Sequence, residues 1–301
     1  MSGPRPSPRG TPGAPLTVRC NAKVNLYLKV LDRRPDGFHD IETVFHSVAI
    51  HDTLTLRPTR GDLTLSCDME GVPTGPENLA LRAAALILEG TSHGVHIELE
   101  KRIPVGAGLG GGSADAAGAL IGLNSLFGLG RCAEDLEIMA EGLGADVKFL
   151  LEGGCAAGLG KGDQLTRLPA MPALPVVLAL PSLSVSTAWA YHSLRMRLTS
   201  PEVSLRMIES ALKRGDTALI CGLLRNDFEG LVFDKYPSVG RVKEDLLGCG
   251  AAAALMSGTG PVIYGLFEAE ADAAACARKL AGGGIDMVVS QLTEQSVTVL
   301  P

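Results

Sequence analysis

A glycine-rich stretch in the first half of the chain has the residue types that most directly suggest chemistry. Residues 104–118 read PVGAGLGGGSADAAG, after a strand-like segment and before a helix-like one. Glycine lets the backbone approach a ligand closely and adopt positive φ angles. A glycine loop that enters a helix N-terminus presents unpaired N–H groups and partial positive charge, which together bind phosphate. The order of strand, loop, serine and helix favours a phosphate site over the alternative, a mobile surface loop.

Two familiar kinds of phosphate loop do not fit this stretch. Gly106, Gly108 and Gly111 satisfy G-x-G-x-x-G, but a dinucleotide site needs an acidic residue about 20 positions on, at the end of a second strand. Glu134 and Asp135 stand near that distance in a helix-like segment instead. A Walker A loop needs G-x-x-x-x-G-K-[ST], and the sequence around Lys161 breaks that pattern at two positions.

Asp146 and Lys23 are candidates for acid–base and electrostatic chemistry. Phosphoryl transfer needs an oriented alcohol, a proton acceptor and cations on the phosphates. Asp146 stands in a predicted Gly–Ala–Asp turn, and Lys23 stands among apolar residues of a predicted strand. A buried lysine is costly unless it is paired. From the residues alone, an ordinary turn aspartate and a solvent-exposed edge-strand lysine stay open as alternatives.

Three motifs resemble those of the GHMP small-molecule kinases. The loop matches P-x-x-x-G-L-G-G-G-S-x-x-A from Pro104 to Ala116, and CNAKVNLYLKV and AAALMSGTGPVIYGLF match the first and last motifs of that superfamily. The resemblance implies an α+β, two-domain GHMP kinase fold, with an N-terminal domain like ribosomal protein S5 domain 2 and a ferredoxin-like C-terminal α/β domain. It also implies ATP as a ligand with Mg²⁺, for which Ser113 is a possible protein contact. The implied ATP-binding residues are Asn78, Lys101, Pro104, Gly106, Gly108, Leu109, Gly110, Gly111, Gly112 and Ser113.

Further segments resemble one family within these kinases, the 4-diphosphocytidyl-2-C-methyl-D-erythritol kinases. They are DGFHDIETVF, GADVKFLL, VSTAWAY and RNDFEGLV. This resemblance implies that ATP phosphorylates a hydroxyl of the methylerythritol part of a CDP-linked substrate, on the non-mevalonate route to isoprenoid precursors. A homoserine or mevalonate-type kinase of the same superfamily and a non-catalytic nucleotide-binding protein are the alternatives.

The resemblance also implies roles for individual residues. Asp146 would accept the hydroxyl proton, and Lys23 would keep Asp146 ionised and stabilise developing charge. His39 would bind the edge of the cytosine between Phe38 and Tyr191, where Phe38 replaces a more usual Tyr. The implied substrate-binding residues are Asn25, Phe38, His39, Thr187 and Tyr191. Without the resemblance, His39 would more simply be a turn histidine in solvent and Tyr191 a core residue.

Two residues depart from the family pattern. Asn21 and Lys148 each replace a proline that is usual near the first motif and near Asp146. Lys148 would either add a cation beside the proposed base or point into solvent.

Composition limits the function classes. The chain has 301 residues, a net charge of −6 and 46% hydrophobic residues, without an apolar run long enough for a membrane span. The net negative charge argues against a nucleic-acid surface. Seven scattered cysteines without a C-x-x-C pair favour free thiols and argue against a zinc site. We expect a cytoplasmic monomer or homodimer that acts on small molecules.

Residues 1–15 predict a disordered Pro/Gly-rich tail, residues 16–168 an ATP-binding and catalytic domain, and residues 169–301 a substrate-binding domain. Within the first domain we expect a turn at Asp36–Gly37, helices over 77–89, 113–127 and 133–143, and strand and turn after residue 144. Ser113 would cap the helix that follows the glycine loop. In the second domain we expect strands near 175–180 and 262–267 and helices near 187–196, 202–213, 216–224, 238–248 and 270–281.

Overall fold

The computed structural model describes residues 13–194, 203–282 and 284–300, and it confirms the predicted α+β class. The strands are β1 (Leu16–Arg33), β2 (His39–Thr59), β3 (Leu63–Cys67), β4 (Gly94–Glu100), β5 (Cys155–Leu159), β6 (Gln164–Leu168), β7 (Pro175–Pro181), β8 (Arg225–Asn226), β9 (Ala253–Met256), β10 (Ile263–Leu266), β11 (Ile285–Thr293) and β12 (Val297–Leu300). The helices are α1 (Leu79–Ile87), α2 (Gly111–Phe127), α3 (Ala133–Glu141), α4 (Ala145–Glu152), α5 (Thr187–Ser193), α6 (Leu205–Arg214), α7 (Thr217–Leu223), α8 (Glu229–Lys235), α9 (Pro237–Gly248) and α10 (Glu270–Leu280).

The long antiparallel hairpin of β1 and β2 is the centre of the sheet. The strand order is β12-β1-β2-β11-β7-β10-β9, and different stretches of β2 also pair with β4 and β5. Residues 20–28 of β1 are all buried, because neighbouring elements cover both faces of the strand. Polar side chains at alternate positions of this buried stretch, Lys23 and Asn25, therefore share one face.

Helix α2 lies directly against β1 and β2. A Cβ at Gly118 would overlap the Sγ of Cys20, and one at Gly122 would lie 2.6 Å from Leu56 Cδ1. The two glycines thus allow the helix backbone to approach the sheet more closely than side chains would permit. This packing fixes the direction of α2 and the place of its N-terminus.

Two predictions about the elements near the site are wrong. Residues 145–152, predicted as strand and turn, form α4, because the short apolar run of Val147, Phe149 and Leu150 packs as a helix. Runs of this length do not distinguish helix from strand by periodicity. Helix α2 begins at Gly111 with Gly110 as N-cap, so Ser113 lies inside the first turn and does not cap it.

The second half of the chain contains more elements than predicted. The strands near 175–180 and 262–267 are confirmed as β7 and β10, whereas β8, α8, β9, β11 and β12 are not among the predicted elements. Strands β11 and β12 return to pair with β2 and β1. The division into domains at residues 168 and 169 stays a prediction.

Some predicted features lie outside the described residues, namely residues 1–12 of the predicted tail and the adjoining ends of the helices predicted at 187–196 and 202–213. All seven cysteines are described and are free thiols, as expected. None of the helices in the described ranges combines the length and the apolar character that a bilayer crossing requires.

Candidate active site

A single large cleft collects almost all of the predicted site residues. Its volume is about 1440 Å³, and its walls come from β1, the β1–β2 turn, the glycine loop, the start of α4 and helix α5. Pockets for one small molecule usually measure about 300–1,000 Å³, so this cleft has room for two ligands side by side. Of the predicted residues only Leu109 does not line it. The Leu109 side chain is buried, and its carbonyl oxygen accepts the Lys23 backbone N–H at 3.0 Å.

The glycine loop opens into the cleft at the N-terminus of α2. Gly106, Gly108 and Gly110 have φ angles of 68°, 78° and 72°, which side chains rarely adopt. The N-cap Gly110 offers no capping side chain, and the first turn of the helix contains no acidic residue. The N–H groups of this turn and the positive end of the helix dipole are therefore available to a phosphate.

Lys101 lies beneath the same loop in a buried ionic cluster. Its ammonium donates to carboxylate oxygens of Asp52 and Asp115, and the other Asp52 oxygen accepts the backbone N–H groups of Arg102 and Ile103. A Cβ at Gly111 would lie 3.2 Å from Lys101 Nζ. Burial raises the pKa of Asp115 to about 7. These contacts assign Lys101 to supporting the loop.

Asn78 is also occupied by contacts within the protein. It is the N-cap of α1, where its Oδ1 accepts the Ala80 N–H and its Nδ2 donates to the Pro73 carbonyl. Both Asn78 and Lys101 line the cleft. Direct contact of either with adenine stays a prediction.

Lys23 and Asp146 form an ion pair within the cleft. Lys23 Nζ lies 3.5 Å from Asp146 Oδ2, and the exposed fractions of the two side chains are 5% and 31%. Asp146 is the second residue of α4, so its side chain lies near the positive end of the helix dipole as well as beside the Lys23 ammonium. The alternative of a solvent-exposed lysine is wrong, because the Lys23 side chain is buried.

The proposed base-binding residues lie together at another part of the cleft. The rings of His39 and Tyr191 stack with centroids 5.2 Å apart, and Tyr191 meets Phe228 edge to face. Burial, followed by the charge of Asp146, raises the pKa of Tyr191 to about 12. Phe38 is 59% exposed, with the Lys161 ammonium 5.0 Å from its ring centroid. The structure therefore brings His39, rather than Phe38, against Tyr191.

The C-terminal glycine motif contacts the glycine loop and forms another wall of the cleft. Ser257 Oγ donates to the Gly108 carbonyl at 2.8 Å, and the Gly258 N–H donates to Asn25 Oδ1 at 3.0 Å. Thr259 contacts Thr187, with 3.1 Å between their hydroxyl oxygens. Gly258 and Thr259 line the cleft.

Sequence reasoning did not assign roles to the residues that hold this motif. Asn226 Nδ2 donates to the carbonyls of Met256 and Gly258, each at 2.7 Å, and Glu229 accepts the Met256 N–H. Both residues belong to the segment RNDFEGLV, so the motif itself was the available signal.

The two departures from the family pattern have partners away from the reacting groups. Lys148 Nζ lies 3.1 Å from Glu137 and 3.6 Å from Glu141 on α3, so neither predicted alternative describes it fully. Asn21 donates its side-chain N–H to the Gln295 carbonyl at 2.8 Å.

Comparisons with known proteins identify the family of this chain. The model of the GHMP kinases N-terminal domain matches residues 78–159, and that of the GHMP kinases C-terminal domain matches residues 208–286. The 4-diphosphocytidyl-2-C-methyl-D-erythritol kinase of Geobacter metallireducens is 44% identical over 279 residues, covering 91% of this chain and 97% of the relative. The enzyme of that name from Pelotomaculum thermopropionicum is 42% identical over 254 residues, covering 83% and 88%.

Solved structures give the same grouping. A crystal structure of 4-(cytidine 5'-diphospho)-2C-methyl-D-erythritol kinase matches with a TM-score of 0.79 and 38% identity, covering 92% of this chain and 98% of that one. The homoserine kinase from Cytophaga hutchinsonii matches with a TM-score of 0.75 and 24% identity, covering 95% of this chain and 97% of that one. At this identity the match shows a common fold only. The chain therefore belongs to the GHMP kinases and, among them, to the 4-diphosphocytidyl-2-C-methyl-D-erythritol kinase family.

Proposed function

We propose that this chain transfers the γ-phosphate of ATP to a hydroxyl of 4-diphosphocytidyl-2-C-methyl-D-erythritol, giving the 2-phosphate and ADP. This step belongs to isopentenyl diphosphate synthesis by the non-mevalonate pathway. The observation that carries the proposal is the Lys23–Asp146 ion pair, which shares one cleft with the open N-terminus of α2. The names and identities of the relatives support the choice of substrate.

The residues around the ion pair suggest how the transfer proceeds. The substrate hydroxyl gives its proton to the Asp146 carboxylate while its oxygen forms a bond to the γ-phosphorus. The bond from that phosphorus to the β–γ bridging oxygen breaks, and ADP leaves. The Lys23 ammonium stabilises negative charge on the transferring oxygens, and the backbone N–H groups of Gly110, Gly111 and Gly112 hold the nucleotide phosphates.

Mg²⁺ fits this cleft as a companion of ATP. Among the described residues there is no group of three or more His, Cys, Asp or Glu side chains arranged to hold a metal. Mg²⁺ commonly takes one or two protein oxygens together with substrate phosphates and waters. The Ser113 hydroxyl, which lines the cleft on the side of Gly144, would supply one such oxygen. When bound, the ion neutralises phosphate charge.

The CDP-linked substrate would lie between β1, the β1–β2 turn and α5. Stacking needs only the faces of aromatic rings, and Phe38, His39 and Tyr191 supply three rings for the cytosine. Asn25 and Thr187 line the same cleft and would contact the rest of this substrate. We also propose a cytoplasmic monomer or homodimer that uses small-molecule substrates without nucleic acid or membrane; the net charge of −6 supports the absence of a nucleic-acid partner.

This proposal is tested by measuring ADP release from ATP and Mg²⁺ by the purified chain. Three alcohols are offered in separate reactions: the CDP-methylerythritol compound, mevalonate and homoserine. Turnover of the CDP compound alone is the expected result. Turnover of mevalonate or homoserine alone would keep the kinase site and overturn the substrate. No turnover with any alcohol would favour the non-catalytic alternative.

A further inference from the structure

Thr43 lies close to the catalytic ion pair without touching the cleft. It stands on β2 opposite Leu28 of β1, its side chain is completely buried, and it is not among the residues that line the cleft. Neither the motifs nor the relatives assign it a task. Its hydroxyl nevertheless joins a chain of hydrogen bonds that ends at Lys23.

The hydroxyl of Thr43 has only one way to satisfy its two neighbours. It donates its hydrogen to the Tyr27 carbonyl oxygen at 2.7 Å. A carbonyl oxygen only accepts hydrogen bonds, and a hydroxyl has a single hydrogen to give. In its 2.8 Å contact with Asn25 the Thr43 oxygen must therefore accept, which requires the Nδ2 of Asn25 on that side.

This requirement fixes the orientation of the Asn25 amide. With Nδ2 on Thr43, Oδ1 faces the other way and accepts from Lys23 Nζ at 2.8 Å and from the Gly258 N–H at 3.0 Å. A rotated amide would place its NH₂ group against these two donors and its oxygen against an oxygen that has no hydrogen left. One of the two orientations satisfies all three partners of the Asn25 amide, and the other loses all three of these hydrogen bonds.

We propose that Thr43 is a positioning residue for phosphoryl transfer. It holds the amide of Asn25 in one orientation, and Asn25 in turn holds the Lys23 ammonium beside the Asp146 carboxylate and ties it to the C-terminal glycine motif. Thr43 itself touches neither ligand site. This role rests on the proposed function, since it matters for catalysis only if Lys23 and Asp146 perform the transfer.

The first test compares Thr43→Val, which keeps the shape and removes the hydroxyl, with Thr43→Ser, which keeps the hydroxyl. For T43V we expect kcat to fall about ten- to hundredfold, the range for misplaced catalytic groups. KM for ATP and for the CDP-methylerythritol compound should change less than about twofold. T43S should restore kcat to within about threefold of the unmodified chain. Equal kcat values for T43V and the unmodified chain would overturn the proposal.

A double-mutant cycle with Asn25→Ala separates positioning from general stabilisation. If Thr43 acts through Asn25, T43V should change kcat less than about twofold once Asn25 is alanine. The same fold-loss of kcat in both backgrounds would mean that Thr43 does not act through Asn25. Circular dichroism and thermal unfolding establish that each variant is folded.

If T43V does not fold, the variants T43S and Asn25→Ala test the proposal instead. The proposal requires that T43S keeps kcat and that Asn25→Ala lowers it with little change in KM for ATP. A large loss of kcat in T43S, or none in Asn25→Ala, would overturn it. Absence of turnover by the unmodified chain would overturn the proposed function itself, whereas turnover by that chain and full activity of T43V would overturn only the role of Thr43.

Discussion

Lys23 and Lys148 both line the cleft, and their partners give them different roles. Lys23 Nζ contacts Asp146 and Asn25, whereas Lys148 Nζ pairs with carboxylates of α3. We expect Lys23→Met to lower kcat at least about a hundredfold, because a charge that stabilises the transferring oxygens is lost. Lys148→Met is the matched control and should change kcat less than about fivefold, since its ion pairs are partly exposed. Steady-state kinetics measures both, and similar losses would contradict the assignment.

At the scale of elements, the contact between the two glycine motifs decides whether the phosphate loop keeps its shape. A Cβ at Gly108 would overlap the Ser257 carbonyl oxygen, whereas at Gly106 the nearest atom would be Ser184 Cβ at 4.0 Å. Both glycines have positive φ, so both alanine variants should lose about 1–2 kcal/mol of stability. Only Gly108→Ala should lose a further 1–3 kcal/mol, roughly the cost of overpacking, and raise KM for ATP. Denaturant unfolding and kinetics check this, and equal effects of the two variants would contradict it.

His46 connects β2 to the segment that leads into β7, and it gives the fold a pH dependence. The buried imidazole accepts the Met171 N–H at Nε2 and donates from Nδ1 to the Ser47 carbonyl, an arrangement for the neutral ring. Burial lowers its pKa from the usual 6.5. Above pH 6.5 the ring is neutral in folded and unfolded chains alike. Below it the unfolded chain binds a proton more readily, so stability should fall as the pH falls.

The expected slope is at most about 1.4 kcal/mol per pH unit below the unfolded pKa. His46→Asn keeps a donor for the Ser47 carbonyl and does not titrate, so it should lack this part of the decline. Urea unfolding at pH 7.5 and 5.5 compares the two proteins. A decline that is identical in both would show that His46 is not its source.

The sequence predicted the parts of the site that depend on residue type and order. The glycine loop, Lys23 and Asp146 were identified from their motifs, and the structure places them in one cleft. The helix around Asp146 was missed because a short apolar run fits strand and helix equally. Thr43 and Asn226 were missed for another reason. Both lie in segments that resemble the family, DGFHDIETVF and RNDFEGLV, but a motif does not state which atoms a side chain contacts in the folded chain.

At the scale of the whole molecule, residues from both halves of the chain line one cleft, which in the proposed function holds two ligands. The α2 N-terminus, which we propose holds the ATP phosphates, opens into this cleft, and the stacked rings of His39 and Tyr191 line it as well. CDP carries the base and the diphosphate of the proposed substrate but lacks the methylerythritol hydroxyl. We expect CDP to raise the apparent KM for the CDP-methylerythritol compound without raising that for ATP. Initial-rate inhibition patterns measure this, and competition with ATP alone would place the rings outside the acceptor site.

The most direct measurement is the single-turnover rate of phosphate transfer to the CDP-methylerythritol compound by the unmodified chain and by Asp146→Asn. The amide keeps the size of the side chain and removes its ability to take a proton. Loss of a general base typically costs about 10²–10⁴-fold, so the variant should be slower by at least about a hundredfold while ATP binding is unchanged. Transfer at equal rates in the two proteins would contradict the role of Asp146 and the mechanism that rests on it.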